Sequence, residues 1–231
     1  DVPGCVKNGI DEKTANKIYD EMIDFAKYAF NKSHAAAYAV VAYQTAWLKY
    51  YYPVEFMAAL MTSVIDNPPK VAEYIYSCRQ MGIQILPPDI NKGEADFSVD
   101  GGNIRYGLAA IKSIGRPAVQ AVIGERDAFG PFKNLEDFIT RMSSKDVLNK
   151  RTIENFIKAG ALDALGGTRK QFMSIYVQIV DHVNQEKKYS MSGQMSLFDL
   201  VGEEEKADFQ IRMPDVGEYA RENLLAFEKE V

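Results

Sequence analysis

The chain has 231 residues, 47% of them apolar, with a formal net charge of −5; that is enough chain for a core and two modules, and the charge excludes a uniformly basic nucleic-acid binder. Two cysteines, Cys5 and Cys78, stand far apart without Cys-x-x-Cys spacing, and His34 and His182 are the only histidines, which leaves neither a disulfide framework nor a structural zinc site supported. No apolar run is long enough to span a bilayer and no signal peptide is seen, so a soluble protein of a reducing cytoplasm, without membrane contact, is expected.

Asp1 to Ile10 is a glycine-containing lead-in, and the last residues stop inside a helical pattern; both ends read as cut from something longer. Asp11 suits the cap of a helix running to about Phe30, with Ile18, Met22, Phe25 and Ala29 on one face. Ser33 is taken as the cap of the next helix, which reaches Tyr52 before Pro53 interrupts it. Its small and aromatic residues, with few polar positions, predict cover on several sides. Lys32, Ser33 and His34 read first as a solvated cap; the same helix start could meet a triphosphate. Apolar helices follow over Val54 to Ile65 and Lys70 to Met81, separated by Asp66-Asn67-Pro68-Pro69 and ended by Gly82. Ile83 to Leu86 is a strand candidate, and Asp100-Gly101-Gly102 sets a hairpin between Phe97-Ser98-Val99 and Ile104-Arg105-Tyr106.

Gly107 to Arg126 organises the rest. It reads as helix, tight hairpin, helix: Leu108 and Ile111 fall at helical spacing, Gly115 can supply a positive φ, Pro117 suits a first turn, and Val119, Val122 and Ile123 face inward. Lys112 and Arg116 then join the unpaired amides of a helix start, which suits a phosphate. This helix-hairpin-helix pattern grips a nucleic-acid backbone without reading bases. Charge distribution agrees: Ile104 to Lys170 carries twelve Lys or Arg against seven Asp or Glu, whereas Asp199 to Val231 carries ten acids against four bases. Asn134 and Asn149 start further helices, and Thr168 with Gln171 is spaced as a capping box ahead of Phe172, Ile175, Tyr176 and Ile179. This second unit places Gly167, Thr168, Arg169 and Lys170 at another helix start. Beyond His182 the chain reads as polar linker, in which Gln194-Met195-Ser196-Leu197-Phe198 is a docking peptide candidate.

Taken together, Phe30-Asn31-Lys32-Ser33-His34-Ala35-Ala36-Ala37-Tyr38, Tyr43 to Lys49, Tyr52 to Ala59, Leu86 to Asn91, Ala95-Asp96-Phe97, Gly107 to Lys112 and Lys158 to Asp163 resemble the C-family bacterial replicative polymerases, the DNA polymerase III alpha subunits of the DnaE type. The resemblance implies a mainly α fold: helical distal fingers over 1–82, a β-containing junction over 83–106, a tandem helix-hairpin-helix domain over 107–183 and a linker over 184–218. Residues 219–231 would begin a helix leading to an OB-like domain. It implies duplex DNA contact by Lys112, Ser113, Ile114, Gly115 and Arg116, and by Gly167, Thr168, Arg169 and Lys170 in the second unit. Nucleotide or primer-template contact falls to Lys32, Ser33 and His34, and sliding-clamp docking to Gln194, Met195, Ser196, Leu197 and Phe198.

Two departures stand out. Many such motifs carry Gly-hydrophobic-Gly, whereas the first hairpin here is Ser113-Ile114-Gly115 and the second lacks the triplet. The chain also shows no Asp-x-Asp pair or other acidic metal site, so no catalytic residue and no cofactor is assigned to it. Two magnesium ions and the catalytic aspartates are expected in a palm upstream of Asp1, and the chain alone should be inactive. The expected partners are primer-template DNA, the sliding clamp (beta subunit) and the remaining holoenzyme subunits. A free-standing helix-hairpin-helix repair module, or a helical adaptor without DNA contact, stays open on residues alone.

Overall fold

The computed structural model describes residues 4–28, 31–145, 147–191 and 212–231. The chain divides into two compact units, Asp1–Tyr52 and Pro53–Val231.

In the first unit, α1 (Glu12–Tyr28) and α2 (Lys32–Tyr51) are both capped locally. Asp11 caps α1 as expected, accepting the Thr14 amide at 2.9 Å and the Thr14 hydroxyl at 2.6 Å. The cap of α2 is Asn31 rather than Ser33: its Oδ1 accepts the Ser33 amide at 2.9 Å and hydroxyl at 2.6 Å. Asn and Ser are comparable caps, and extended backbone at Asn31 fits the role. The expectation that α2 is covered on several sides is not met. None of its residues is buried, because among the described residues its unit supplies one other α-helix, too little to cover a helix that is apolar on several sides. Trp47 packs within the same helix end, 4.8 Å from Tyr51 and 5.7 Å from Tyr52 between ring centroids.

The second unit opens with α3 (Pro53–Ser63) and α4 (Pro68–Gln80), the latter starting two residues before the sequence boundary because Pro68 and Pro69 suit a first turn that Asn67 caps. Three short strands follow: β1 (Ile85–Leu86), β2 (Ser98–Asp100) and β3 (Asn103–Arg105), in sheet order β1-β3-β2. The expected hairpin is β2 with β3, in register Val99 to Ile104, and β1 adds a parallel pairing of Ile85 to Ile104. Ile104 is thereby central, and with Met57, Met61, Val71, Cys78 and Phe97 it forms one apolar core.

A second core is built by α5 (Arg116–Phe129), α6 (Leu135–Ser143), α7 (Lys150–Lys158) and α8 (Arg169–Met191). Asn134 and Asn149 cap α6 and α7 by accepting amides three residues on, at 2.8 and 2.9 Å. Thr168 and Gln171 form the reciprocal box, 2.8 Å from the Thr168 amide to the Gln171 side chain and 3.1 Å back. Phe138, Phe156 and Phe172 are fully buried, with Phe138 edge-on to both Phe132 and Phe156. Helix α8 continues through the polar stretch from Asn184 that reads as linker. Its charged residues are good helix formers, and Lys187 Nζ reaches the Ser143 carbonyl at 3.1 Å. From residue 212, a stretch without regular secondary structure leads to α9 (Arg221–Glu230).

The loop before the first hairpin ties the two cores. Ile90 donates to the Ala161 carbonyl at 2.8 Å, and Asn91 exchanges hydrogen bonds with the Phe132 backbone at 2.8 Å each way. Buried Arg126 holds the Gly93 carbonyl at 2.7 Å. Among the described residues, no helix is long and apolar enough to cross a membrane.

Candidate nucleic-acid interface

The first hairpin differs from its sequence reading in two ways. Its first helix is a single 3-10 turn, Leu108–Ala110, because the chain leaves β3 only two residues earlier and Gly107 is pinned beside Ala95–Phe97. The Leu108 and Ala109 amides donate to Glu94 and Ala95 carbonyls at 2.9 and 3.0 Å. The positive φ falls on Ser113, at +63°, not on Gly115, which is at −73°. The reversal thus happens two residues before the glycine.

From that turn α5 leaves with Pro117 in its first turn, and Ala118, Val119 and Val122 buried, while Ile123 is half-buried. Ile114 is buried and plugs the hairpin onto the core; Lys112, Ser113, Gly115 and Arg116 are exposed. Among the described residues, nothing accepts the amides of Ser113, Gly115 or Arg116. Lys112 donates its amide to the Val231 carbonyl at 2.8 Å and reaches the Glu230 carbonyl with Nζ at 3.3 Å. Arg116 pairs with Asp96 at 2.9 Å, with both side chains about half exposed, a contact that water weakens and an anion can replace.

The second hairpin is occupied differently. Arg169 is buried: its guanidinium meets Asp163 at 2.9 to 3.2 Å, Glu228 at 2.9 Å and the Lys158 carbonyl at 3.1 Å. The amides of Arg169 and Lys170 both donate to the Glu218 carboxylate, at 2.9 and 3.1 Å. Thr168 Oγ1 and Gln171 Nε2 reach the Gly217 and Pro214 carbonyls at 3.3 and 2.9 Å. Gly167 lies against the Phe172 ring, too close for a side chain. So Thr168, Arg169 and the Lys170 amide hold the chain's own acidic segment, and the Lys170 side chain is half-buried beside it.

A family model described as a helix-hairpin-helix motif matches residues 82–172. DNA polymerase III subunit alpha of Thermus aquaticus is 44% identical over 202 residues, 87% of this chain and 16% of that protein. The Vibrio cholerae protein of that name is 47% identical over 199 residues, 86% of this chain and 17% of its own length. The Deinococcus radiodurans protein is 42% identical over 231 residues, 99% of this chain. The chain is homologous to a segment of DNA polymerase III subunit alpha. It spans about a sixth of the length of those relatives.

Seen as part of an alpha subunit, the sites distribute unevenly. Lys32, Ser33 and His34 lie at the start of α2 in the first unit, where the His34 ring packs at a tilt against Tyr38, 4.3 Å between ring centroids. Gln194, Met195, Ser196, Leu197 and Phe198 lie outside the described residues. Among the described residues, no three His, Cys, Asp or Glu side chains are grouped to hold a metal ion. Two cations that sequence reading passed over join the first hairpin. Lys150 and Arg151, at the start of α7, line one recess with Lys112 and Ser113. The link is Asn155, whose Nδ2 donates to the Lys112 carbonyl at 2.9 Å across 43 residues; an Asn on the inner face of a helix is its one sequence signal.

Proposed function

We propose that this chain is the part of a replicative DNA-directed DNA polymerase that holds duplex DNA by its phosphates and links the enzyme to the sliding clamp. The observation that carries the reading is the first hairpin, whose exposed Lys112 and Arg116 flank three amides without acceptors. Homology with the alpha subunits supports it from another side. Such a surface neutralises phosphates without contacting base edges, so binding is independent of sequence and releases counterions.

In this reading the nucleotidyl transfer, with its two magnesium ions, is carried out by a palm outside this chain, and this segment supplies grip in the bacterial cytoplasm. Leu197 and Phe198 fill an apolar pocket on the clamp while Gln194 fixes register. DNA and clamp contacts reinforce one another through effective concentration, so each can be weak. The remaining holoenzyme subunits are the other partners.

The test is duplex binding by fluorescence anisotropy across a salt series. Mixed-sequence duplexes should bind alike and weaken steeply with salt, and Lys112→Ala with Arg116→Ala should cut affinity about tenfold or more. A marked preference for one sequence, or unchanged affinity in the double variant, would refute the reading. Clamp pull-down should be lost on Leu197→Ala with Phe198→Ala.

A further inference from the structure

Ser113 is the one non-glycine residue with positive φ among those described. It is exposed at the hairpin tip, and its hydroxyl has no hydrogen-bond partner among the described residues. Left-handed backbone is unfavourable for a residue with a Cβ, and glycine would occupy it without strain. A strained residue whose side chain bonds nothing in its own fold points to a role outside the fold.

The surroundings say what that role accepts. Ser113 lines a recess of about 440 Å³ with Lys112, Lys150, Arg151, Glu154, Lys158 and Glu230. Four of these side chains are basic and two acidic, and Lys158 takes both acids, Glu154 at 2.9 Å and Glu230 at 2.8 Å. Lys150 is paired with Asp181 at 2.6 Å. That leaves Lys112, whose Nζ reaches only a carbonyl at 3.3 Å, and exposed Arg151, which has no ion-pair partner among the described residues. One unbonded hydroxyl and two unmatched cations around one recess form a set of donors for an anion, with Arg151 able to offer a fork.

We propose that Ser113, Lys112 and Arg151 form a phosphodiester subsite, and that one DNA strand runs from the first hairpin across the amino end of α7. The Ser113 hydroxyl donates to a non-bridging oxygen, and Lys112 and Arg151 neutralise it. The strand does not turn to the second hairpin, whose amides hold Glu218. The inference rests on the reading that the first hairpin grips duplex DNA.

The test is a mixed-sequence duplex titrated into the 231-residue chain and its Ser113→Gly and Arg151→Ala variants, with thermal melting of each. Ser113→Gly should raise the melting temperature by about 2 °C while weakening duplex binding about threefold or more. Arg151→Ala should leave melting unchanged, lower affinity, and reduce the slope of log affinity against log salt by about 0.9. Higher melting with unchanged affinity would make Ser113 merely tolerated, lower melting would remove the strain on which the inference starts, and unchanged binding by Arg151→Ala would take α7 off the strand's path. Failure of the unaltered chain to bind any duplex would instead bring down the hairpin reading itself.

Discussion

The Glu218 carboxylate accepts the backbone amide of Arg169 at 2.9 Å, which sets an acid of the C-terminal segment on the first turn of α8. The Lys170 amide donates to the same carboxylate at 3.1 Å. A helix start with outward amides is where an anion binds, and here the anion is the chain's own. The two hairpins are therefore unequal: the first presents open amides and exposed cations, while the second anchors the segment that carries α9.

That anchor should depend on pH. Burial works against the ionised form of Glu218, but the amides of Tyr219, Arg169 and Lys170 and the charge of Arg169 outweigh it and hold its carboxyl below the usual range. A carboxyl lowered on folding contributes stability that is present above its unfolded value, about 4.3, and lost as pH falls through the folded value. Hydrogen-exchange protection of the Arg169 and Lys170 amides should be high at neutral pH and drop on acidification below that range. Glu218→Gln should show low protection at every pH; equal protection in both proteins would mean that the carboxylate is not what holds these amides.

Arg169 itself should matter for stability rather than for DNA. Its side chain is 9% exposed, against 48% for Asp163 and 45% for Glu228, so removing it leaves acids that water can still reach. Arg169→Ala should cost about 2 kcal/mol in urea denaturation, less than the 3 to 5 kcal/mol expected, roughly, when both partners are buried. Arg169→Lys should recover less than half, because an ammonium cannot span Asp163, Glu228 and the Lys158 carbonyl at once. Gly160 makes room for this fork, since a Cβ there would meet the guanidinium.

Features set by neighbours in sequence were legible. The Thr168 and Gln171 box, the Asn134 and Asn149 caps and the β2–β3 hairpin each rest on contacts within seven residues. What was missed depends on distance along the chain. Nothing near Arg169 announces that Glu218, 49 residues on, fills its amide, and nothing near Lys112 announces Arg151, brought there by the Asn155 bond. Gly115 attracted the positive φ because glycine adopts it most easily. The fold instead places the reversal at Ser113, close behind Gly107, which is held against the Ala95–Phe97 backbone, and the single 3-10 turn.

The two glycines of the first motif should respond oppositely to alanine. Gly107 has ordinary backbone, φ −67°, but a Cβ there would sit 2.7 to 2.9 Å from backbone atoms of Ala95, Asp96 and Phe97. Those atoms are fixed by the bonds of Leu108 and Ala109 to Glu94 and Ala95, so they cannot give way as a flexible side chain would. Gly107→Ala should therefore destabilise by about 2 to 3 kcal/mol and, by shifting the hairpin, weaken duplex binding. Gly115, at φ −73°, faces only Pro117 Cδ at 3.6 Å. Gly115→Ala should lie within about 0.5 kcal/mol of the unaltered chain, on the stabilising side if the lost freedom of the unfolded chain dominates. Urea denaturation of the two variants side by side decides it, and similar losses in both would mean that Gly115 is under a constraint its backbone and surroundings do not reveal.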